Sequence, residues 1–173
     1  EGRGLDSEEV ERLWGVKGID RFGGRLAWRL FIPVHYQGEI VSWTTRTIGD
    51  NEPRYISAGV KDEKMKRSSL LFGEDYCRHS VVICEGPLDT IRIGPGAVAI
   101  MGLNYSQAQL LKMSRYPVRV VCLDSTKDAQ KRASKLCRAL EIFTGDTYNL
   151  TLDSKDPGEA TNKEIQKIRE FLV

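Results

Sequence analysis

The sequence predicts an α/β fold: a mostly parallel sheet flanked by helices, preceded by a smaller, basic, β-rich subdomain of mixed α+β character. From residue 80 onward, short and nearly continuous apolar runs alternate with helical patterns, which is typical of βαβ units on a parallel sheet. Before residue 80, runs of β-branched and aromatic residues are separated by turn residues. We therefore predict an N-terminal subdomain over 1–79 and a second domain over 80–173.

The N-terminal subdomain is expected to begin with a helix and to continue as strands. Asp6 followed by Glu9 matches a capping box, and Gln37-Gly38 separates two β-branched runs as a hairpin turn would. The expected elements are a helix over 6–14, strands over 31–36 and 39–47, and a short strand at 54–56.

The second domain is expected to alternate strands with helices. Its predicted strands cover 81–84, 97–101, 118–123 and 147–152, and its predicted helices cover 106–116, 129–140 and a segment that starts near Thr161. Thr161 and Glu164 form a capping box, and apolar residues recur at helical spacing in 129–140.

Composition narrows the classes of protein to consider. A chain of 173 residues, 40% hydrophobic and 29% charged, suits one ordinary domain or a domain with a compact appendage. No apolar run approaches the roughly 20 residues that span a bilayer, so no membrane partner is expected. The N-terminus lacks a secretory pattern and a methionine, and we expect a fragment. Four cysteines without a CxxC pair predict buried thiols and a reducing cytoplasm.

Acidic residues follow two of the predicted strands directly. The run 81–84 leads into Glu85, and the run 120–123 leads into Asp124. Asp89 would lie in the first turn of a helix after Glu85, since proline suits the first helical position. Ligands of parallel sheets bind at the carboxyl ends of strands, and grouped carboxylates favour Mg²⁺ or Mn²⁺. The alternative is that these acids only cap a helix and begin a loop.

Several segments, taken in order, resemble the Toprim domains and RNA-polymerase core of bacterial and phage DNA primases. Glu85-Gly86-Pro87-Leu88-Asp89 looks like the E-G-x-x-D motif of Toprim domains, and Asp124 falls where the D-x-D motif begins. The other similar segments are Phe31-Ile32-Pro33 with the hairpin after it, Pro53-Arg54-Tyr55-Ile56-Ser57, Leu71-Phe72-Gly73 and Lys155-Asp156-Pro157. The resemblance extends from about Leu26 to Glu159.

The resemblance implies a DNA primase core that synthesises short RNA primers by metal-dependent nucleotidyl transfer. Asp124 and Asp156 would hold the divalent metal, Glu85 would be a further ligand or a proton acceptor, and Asp89 would support the site. The implied partners are single-stranded DNA, ribonucleoside triphosphates and a replicative helicase that is reached through parts outside this fragment. The implied location is the bacterial cytoplasm, including that of a phage host.

Two positions depart from the family pattern. Thr126 stands where the D-x-D motif has its second acid, and Gly158 stands where the family often has an acid after Asp156-Pro157. Threonine is a poor ligand for Mg²⁺. The candidate replacement ligands are Glu159 and Asp128, although we otherwise expect Asp128 to cap a helix.

Basic residues in the first half form a second candidate site. Taken alone, the charge run over 46–67 is typical of a solvated surface, because acids are interspersed with the bases. The resemblance singles out the positions that would contact template and nucleotide phosphates: Arg46, Arg54, Lys66 and Arg67. Arginine suits this role because its guanidinium binds phosphate in bidentate fashion.

Two other functions remain open from the sequence. A Toprim-type nuclease would use the same carboxylates to hydrolyse phosphodiesters. A degenerate Toprim module would bind nucleic acid without catalysis, as the departures at Thr126 and Gly158 suggest.

Overall fold

The computed structural model describes residues 5–172, in two compact units. The first unit extends to Arg67 and the second begins at Ser68. The division therefore lies earlier in the chain than the predicted boundary at 79/80. Residues just after Ser68 pack with the rest of the second unit. Phe72, for example, pairs with Ala99 through two backbone hydrogen bonds of 3.0 Å, one in each direction. Residues 1–4 and 173, which the predicted domains include, lie outside the described residues.

The first unit is a helix followed by a four-stranded antiparallel sheet in the order β1-β2-β3-β4. Its elements are α1 (Ser7–Trp14), β1 (Lys17–Ile19), β2 (Arg29–Tyr36), β3 (Glu39–Thr47) and β4 (Tyr55–Ser57). Asp6 caps α1, since its carboxylate accepts the Glu8 and Glu9 amides at 2.9 and 3.0 Å. The predicted hairpin of β2 and β3 is confirmed, whereas β1 was not predicted.

The second unit is built on a four-stranded parallel sheet in the order β6-β5-β7-β8, as predicted for a βαβ protein. Its elements are β5 (Ser80–Cys84), α2 (Pro87–Ile93), β6 (Ala97–Ala99), α3 (Gln107–Met113), β7 (Val118–Val121), α4 (Lys127–Leu140), β8 (Asp146–Asn149) and α5 (Asn162–Arg169). The last three strands end earlier than predicted. A few backbone hydrogen bonds continue beyond the ladder, such as the one from the Leu150 amide to the Val121 carbonyl at 2.9 Å.

Alternate residues of the parallel sheet enter two separate cores. Val81 and Ile83 pack with α4 residues such as Ala133 on one face, whereas Val82 and Cys84 pack with residues of α5 on the other. Such strands, covered on both faces, explain the continuous apolar runs in the sequence. All four cysteines are buried free thiols. Within residues 5–172, no helix is long and apolar enough to cross a membrane.

Candidate functional site

The carboxyl ends of the two central strands, β5 and β7, bring Glu85 and Asp124 to one edge of the sheet. The strands are parallel neighbours, with Ile83 opposite Val121, and the Cys122 amide continues the contact by donating to the Ile83 carbonyl at 2.9 Å. Because the two strands are neighbours, the acids that follow them lie at the same edge. Both side chains are half-buried.

Asp89 is buried and connects two loops at this edge. Its Oδ2 accepts the Gly86 amide at 3.2 Å, and its Oδ1 accepts the Gly158 amide at 3.1 Å. Both carboxylate oxygens therefore have backbone donors. Asp89 holds the turn after Glu85 and the segment after Asp156 in fixed positions.

Ser125 connects the loop after β7 to the same distant segment. Its hydroxyl lies 2.9 Å from the Leu152 carbonyl and 2.7 Å from the Ser154 carbonyl, and its amide donates to the Lys155 carbonyl at 2.8 Å. These bonds hold the segment of Asp156 near Asp124, and the negative charge of Asp156 acts on the Asp124 carboxylate. The two loops are far apart in sequence, so sequence spacing could not place them together.

Asp124 is in an unfavourable environment for a negative charge. Burial raises its pKa to about 6, with further contributions from the negative charges of Glu85 and Asp156. Lys155 and Arg132 oppose this increase. A cation beside Asp124 would relieve both the burial penalty and the repulsion.

The donor set fits a single hard divalent cation. Within residues 5–172, no group of three or more His, Cys, Asp or Glu side chains is arranged to hold a metal ion. Mg²⁺, however, is commonly held by one or two carboxylates and takes its other ligands from water and phosphate. Asp124 and Asp156, whose negative charges repel each other, are carboxylates of the kind that such a site uses.

Glu85 forms an ion pair with Arg132. Arg132, on α4, places its Nη2 atom 2.8 Å from the Glu85 Oε1 atom, and the two side chains are 28% and 16% exposed. The sequence analysis did not single out Arg132. A signal was present, since Arg132 lies beside Ala129 and Ala133, the residues of α4 that face the sheet.

The two positions around the start of α4 have local roles. Thr126 is the N-cap, and its hydroxyl accepts the Ala129 amide at 3.3 Å. The expectation that Asp128 caps this helix is wrong, because Asp128 lies in the first turn. Asp128 is exposed and pairs with Lys131 at 3.3 Å.

In the first unit, Arg46 and Tyr55 form a stacked pair across β3 and β4. The Arg46 guanidinium lies 4.9 Å from the centre of the Tyr55 ring, and its Nη1 donates to the Tyr55 hydroxyl at 3.0 Å. Arg67 contacts the same strand, where its Nη1 donates to the Ser57 hydroxyl at 2.6 Å. Tyr55 and Ser57 alternate with Ile56, so both arginines bind one face of β4.

Arg54 is exposed at the start of β4, and its backbone is held by a buried arginine. Arg29 donates to the Pro53 carbonyl at 2.7 Å and to the Arg54 carbonyl at 3.5 Å. Lys66 is also exposed in this unit. The four predicted phosphate-binding residues thus all belong to the first unit, and Arg29 is a supporting residue that the sequence analysis missed.

The second unit, with its parallel sheet, its E-G-x-x-D turn and its acid after β7, defines a Toprim-like α/β domain. Comparison with known proteins shows that nearly the whole chain is similar to DNA primases. The DNA primase of Thermotoga maritima is 29% identical over 180 aligned residues, which cover 95% of this chain and 31% of that protein. The chain therefore spans about a third of the length of this relative. No family model matches the chain.

Solved structures show the same fold. The zinc-binding and RNA polymerase domains of the Aquifex aeolicus primase match 98% of this chain and 53% of their own length, with a TM-score of 0.79 and 19% identity. A primase catalytic domain bound to single-stranded DNA matches 97% of this chain and 67% of its own, also with a TM-score of 0.79 and 19% identity. The resemblance to primase catalytic cores is confirmed.

Proposed function

We propose that this chain is the catalytic core of a DNA primase, which joins ribonucleotides on a single-stranded DNA template. The observation that carries the proposal is the convergence of Glu85, Asp124 and the Asp156 segment at one edge of the sheet, through Asp89 and Ser125. The similarity to the Thermotoga maritima primase and to primase catalytic cores supports it.

Mg²⁺ or Mn²⁺ is the proposed cofactor, and Asp124 and Asp156 are its proposed protein ligands. When bound, the metal ion would neutralise the triphosphate and activate the attacking hydroxyl. Glu85 would accept the proton of the 3′-hydroxyl at the end of the growing primer. The oxygen would then bond to the α-phosphorus of the incoming ribonucleotide, whose bond to pyrophosphate breaks. Asp89 is a positioning residue, because backbone amides occupy both its oxygens.

The basic residues of the first unit are the proposed contacts for template and nucleotide phosphates. Arg46, Arg54, Lys66 and Arg67 offer charged donors, and the exposed part of Tyr55 offers a ring on which a base can stack. The proposed partners are single-stranded DNA and ribonucleoside triphosphates, with a replicative helicase contacted through segments outside this chain. Buried free thiols suit the reducing cytoplasm in which we propose that the protein acts.

An extension assay tests the function. A labelled ribonucleotide primer annealed to a DNA template is incubated with the protein, ribonucleoside triphosphates and Mn²⁺. We expect primer extension by the wild type and none by Glu85→Gln. The control Asp153→Asn changes an exposed acid in the segment before Asp156 and should leave extension unchanged.

The same assay separates the two alternatives. A shortened template without longer primers would indicate a nuclease and would refute the primase proposal. Retention of the template in a gel, with neither extension nor cleavage, would indicate a non-catalytic nucleic-acid-binding module.

A further inference from the structure

We propose that Arg132 is a built-in counter-cation of the carboxylate cluster, the acids Glu85, Asp124 and Asp156 at the edge of the parallel sheet. Arg132 holds Glu85 and thereby limits the cluster to one divalent cation at Asp124 and Asp156. This inference rests on the metal-binding part of the proposed function. It concerns how many divalent metal ions the cluster binds and with what affinity.

The contact between Arg132 and Glu85 is close and only partly hydrated. The separation of 2.8 Å is that of a charge-assisted hydrogen bond, and both side chains are less than a third exposed. In such surroundings the charges are weakly screened by salt, so their mutual attraction is stronger than that of a fully exposed pair. A metal ion that recruited Glu85 as a ligand would have to share this carboxylate with Arg132 or displace it.

The charge of Arg132 also acts beyond its partner. Glu85 and Asp124 follow neighbouring strands, so a guanidinium held at Glu85 also favours the negative charge of Asp124, as a metal ion would. Two cations that favour the same carboxylates repel each other. The guanidinium and a divalent metal therefore compete for the cluster.

Arg132 is not held in the way that a purely structural arginine of this protein is held. The buried Arg119 donates to three backbone carbonyls and the Thr147 hydroxyl, at distances from 3.1 to 3.4 Å. The hydrogen bond of the Arg132 guanidinium, by contrast, goes to the Glu85 carboxylate. The orientation of its guanidinium thus depends on the carboxylate cluster.

The composition of the cluster agrees with this role. Thr126, which caps α4, adds no negative charge at the position where the family motif has its second acid. The four acids at this edge are Glu85, Asp89, Asp124 and Asp156. Arg132, Lys155 and one divalent cation together balance their charge. A second divalent cation would leave the cluster positively charged.

Titration calorimetry with Mn²⁺ alone tests the proposal. The wild type is compared with Arg132→Gln, which removes the charge, and with Arg132→Lys, which keeps it. The matched control is Arg138→Gln, which makes the same change at an exposed position of the same helix. Circular dichroism confirms folding, and Arg132→Met, which keeps an apolar stem, is used if the glutamine variant unfolds.

We expect Arg132→Gln to bind Mn²⁺ about tenfold more tightly than the wild type, an effect of the size that outer-shell partners have on metal sites. Arg132→Lys and Arg138→Gln should stay within about twofold of the wild type. Equal or weaker binding by the folded Arg132→Gln or Arg132→Met protein would overturn the proposal, as would absence of binding by every variant. Because the readout is metal affinity, failure of primer extension would refute the proposed function and leave this inference standing.

Discussion

Asp89 and Gly158 are joined by a hydrogen bond of 3.1 Å across 69 positions of the sequence. With its other oxygen, Asp89 binds the amide of Gly86. The two acids of the E-G-x-x-D motif therefore have different roles. Glu85 lies at the carboxylate cluster, whereas Asp89 holds together the two loops beside it.

Replacement of Asp89 by asparagine should lower the free energy of unfolding by about 1–3 kcal/mol, because one buried backbone amide loses its acceptor. Urea unfolding measures the change. Asp153→Asn, at an exposed acid, should stay within about 0.5 kcal/mol of the wild type. Equal stability of all three proteins would show that the hydrogen bonds of Asp89 do not stabilise the fold.

Asp124→Asn should make the metal-free protein more stable at neutral pH. Burial and the negative charges of Glu85 and Asp156 disfavour the ionised carboxylate, and a neutral amide removes this penalty. We expect a gain of about 1 kcal/mol, a figure reduced for partial exposure of the side chain. Thermal unfolding with a chelator present measures it. A lower melting temperature would show that Asp124 stabilises the fold.

Arg46→Gln should weaken the binding of single-stranded DNA and make it less sensitive to salt. Loss of one phosphate contact should reduce the slope of log affinity against log salt by about 0.7. Fluorescence anisotropy at several salt concentrations measures both quantities. The control is Arg12→Gln at an exposed position of α1, for which the affinity and slope should not change. An unchanged slope for Arg46→Gln would exclude a phosphate contact.

Glu164 should make stability depend on pH in acid. Hydrogen bonds from Ser154 and Thr161 lower its pKa to about 2, from an ordinary value of 4.5. The stabilisation is complete above about pH 4.5 and is lost as pH falls toward 2. Urea unfolding across this range should therefore show a smaller pH dependence for Glu164→Gln than for the wild type. Glu170→Gln, at an exposed acid after α5, should behave like the wild type.

Local patterns predicted most of the elements. The capping box of Thr161 and Glu164 starts α5 as expected, and the apolar stripe of α4 faces the sheet. The pattern did not predict β1, because its three residues lie in a glycine-rich stretch and are specified by pairing with β2. The start of α4 was also misjudged, since a threonine and an aspartate two residues apart are both suitable caps.

The sequence by itself determined the βαβ order, the acids that follow β5 and β7 and the family resemblance, since all of these depend on neighbours in the chain. Only the tertiary structure decided which groups meet at the sheet edge. Arg132 reaches Glu85 across 47 positions, and Ser125 reaches the Leu152 and Ser154 carbonyls across 27 and 29. Such contacts are set by strand order and by the packing of α4 on the sheet. Local spacing indicates which face of α4 lies near Arg132, but it does not identify the partner of any of these groups.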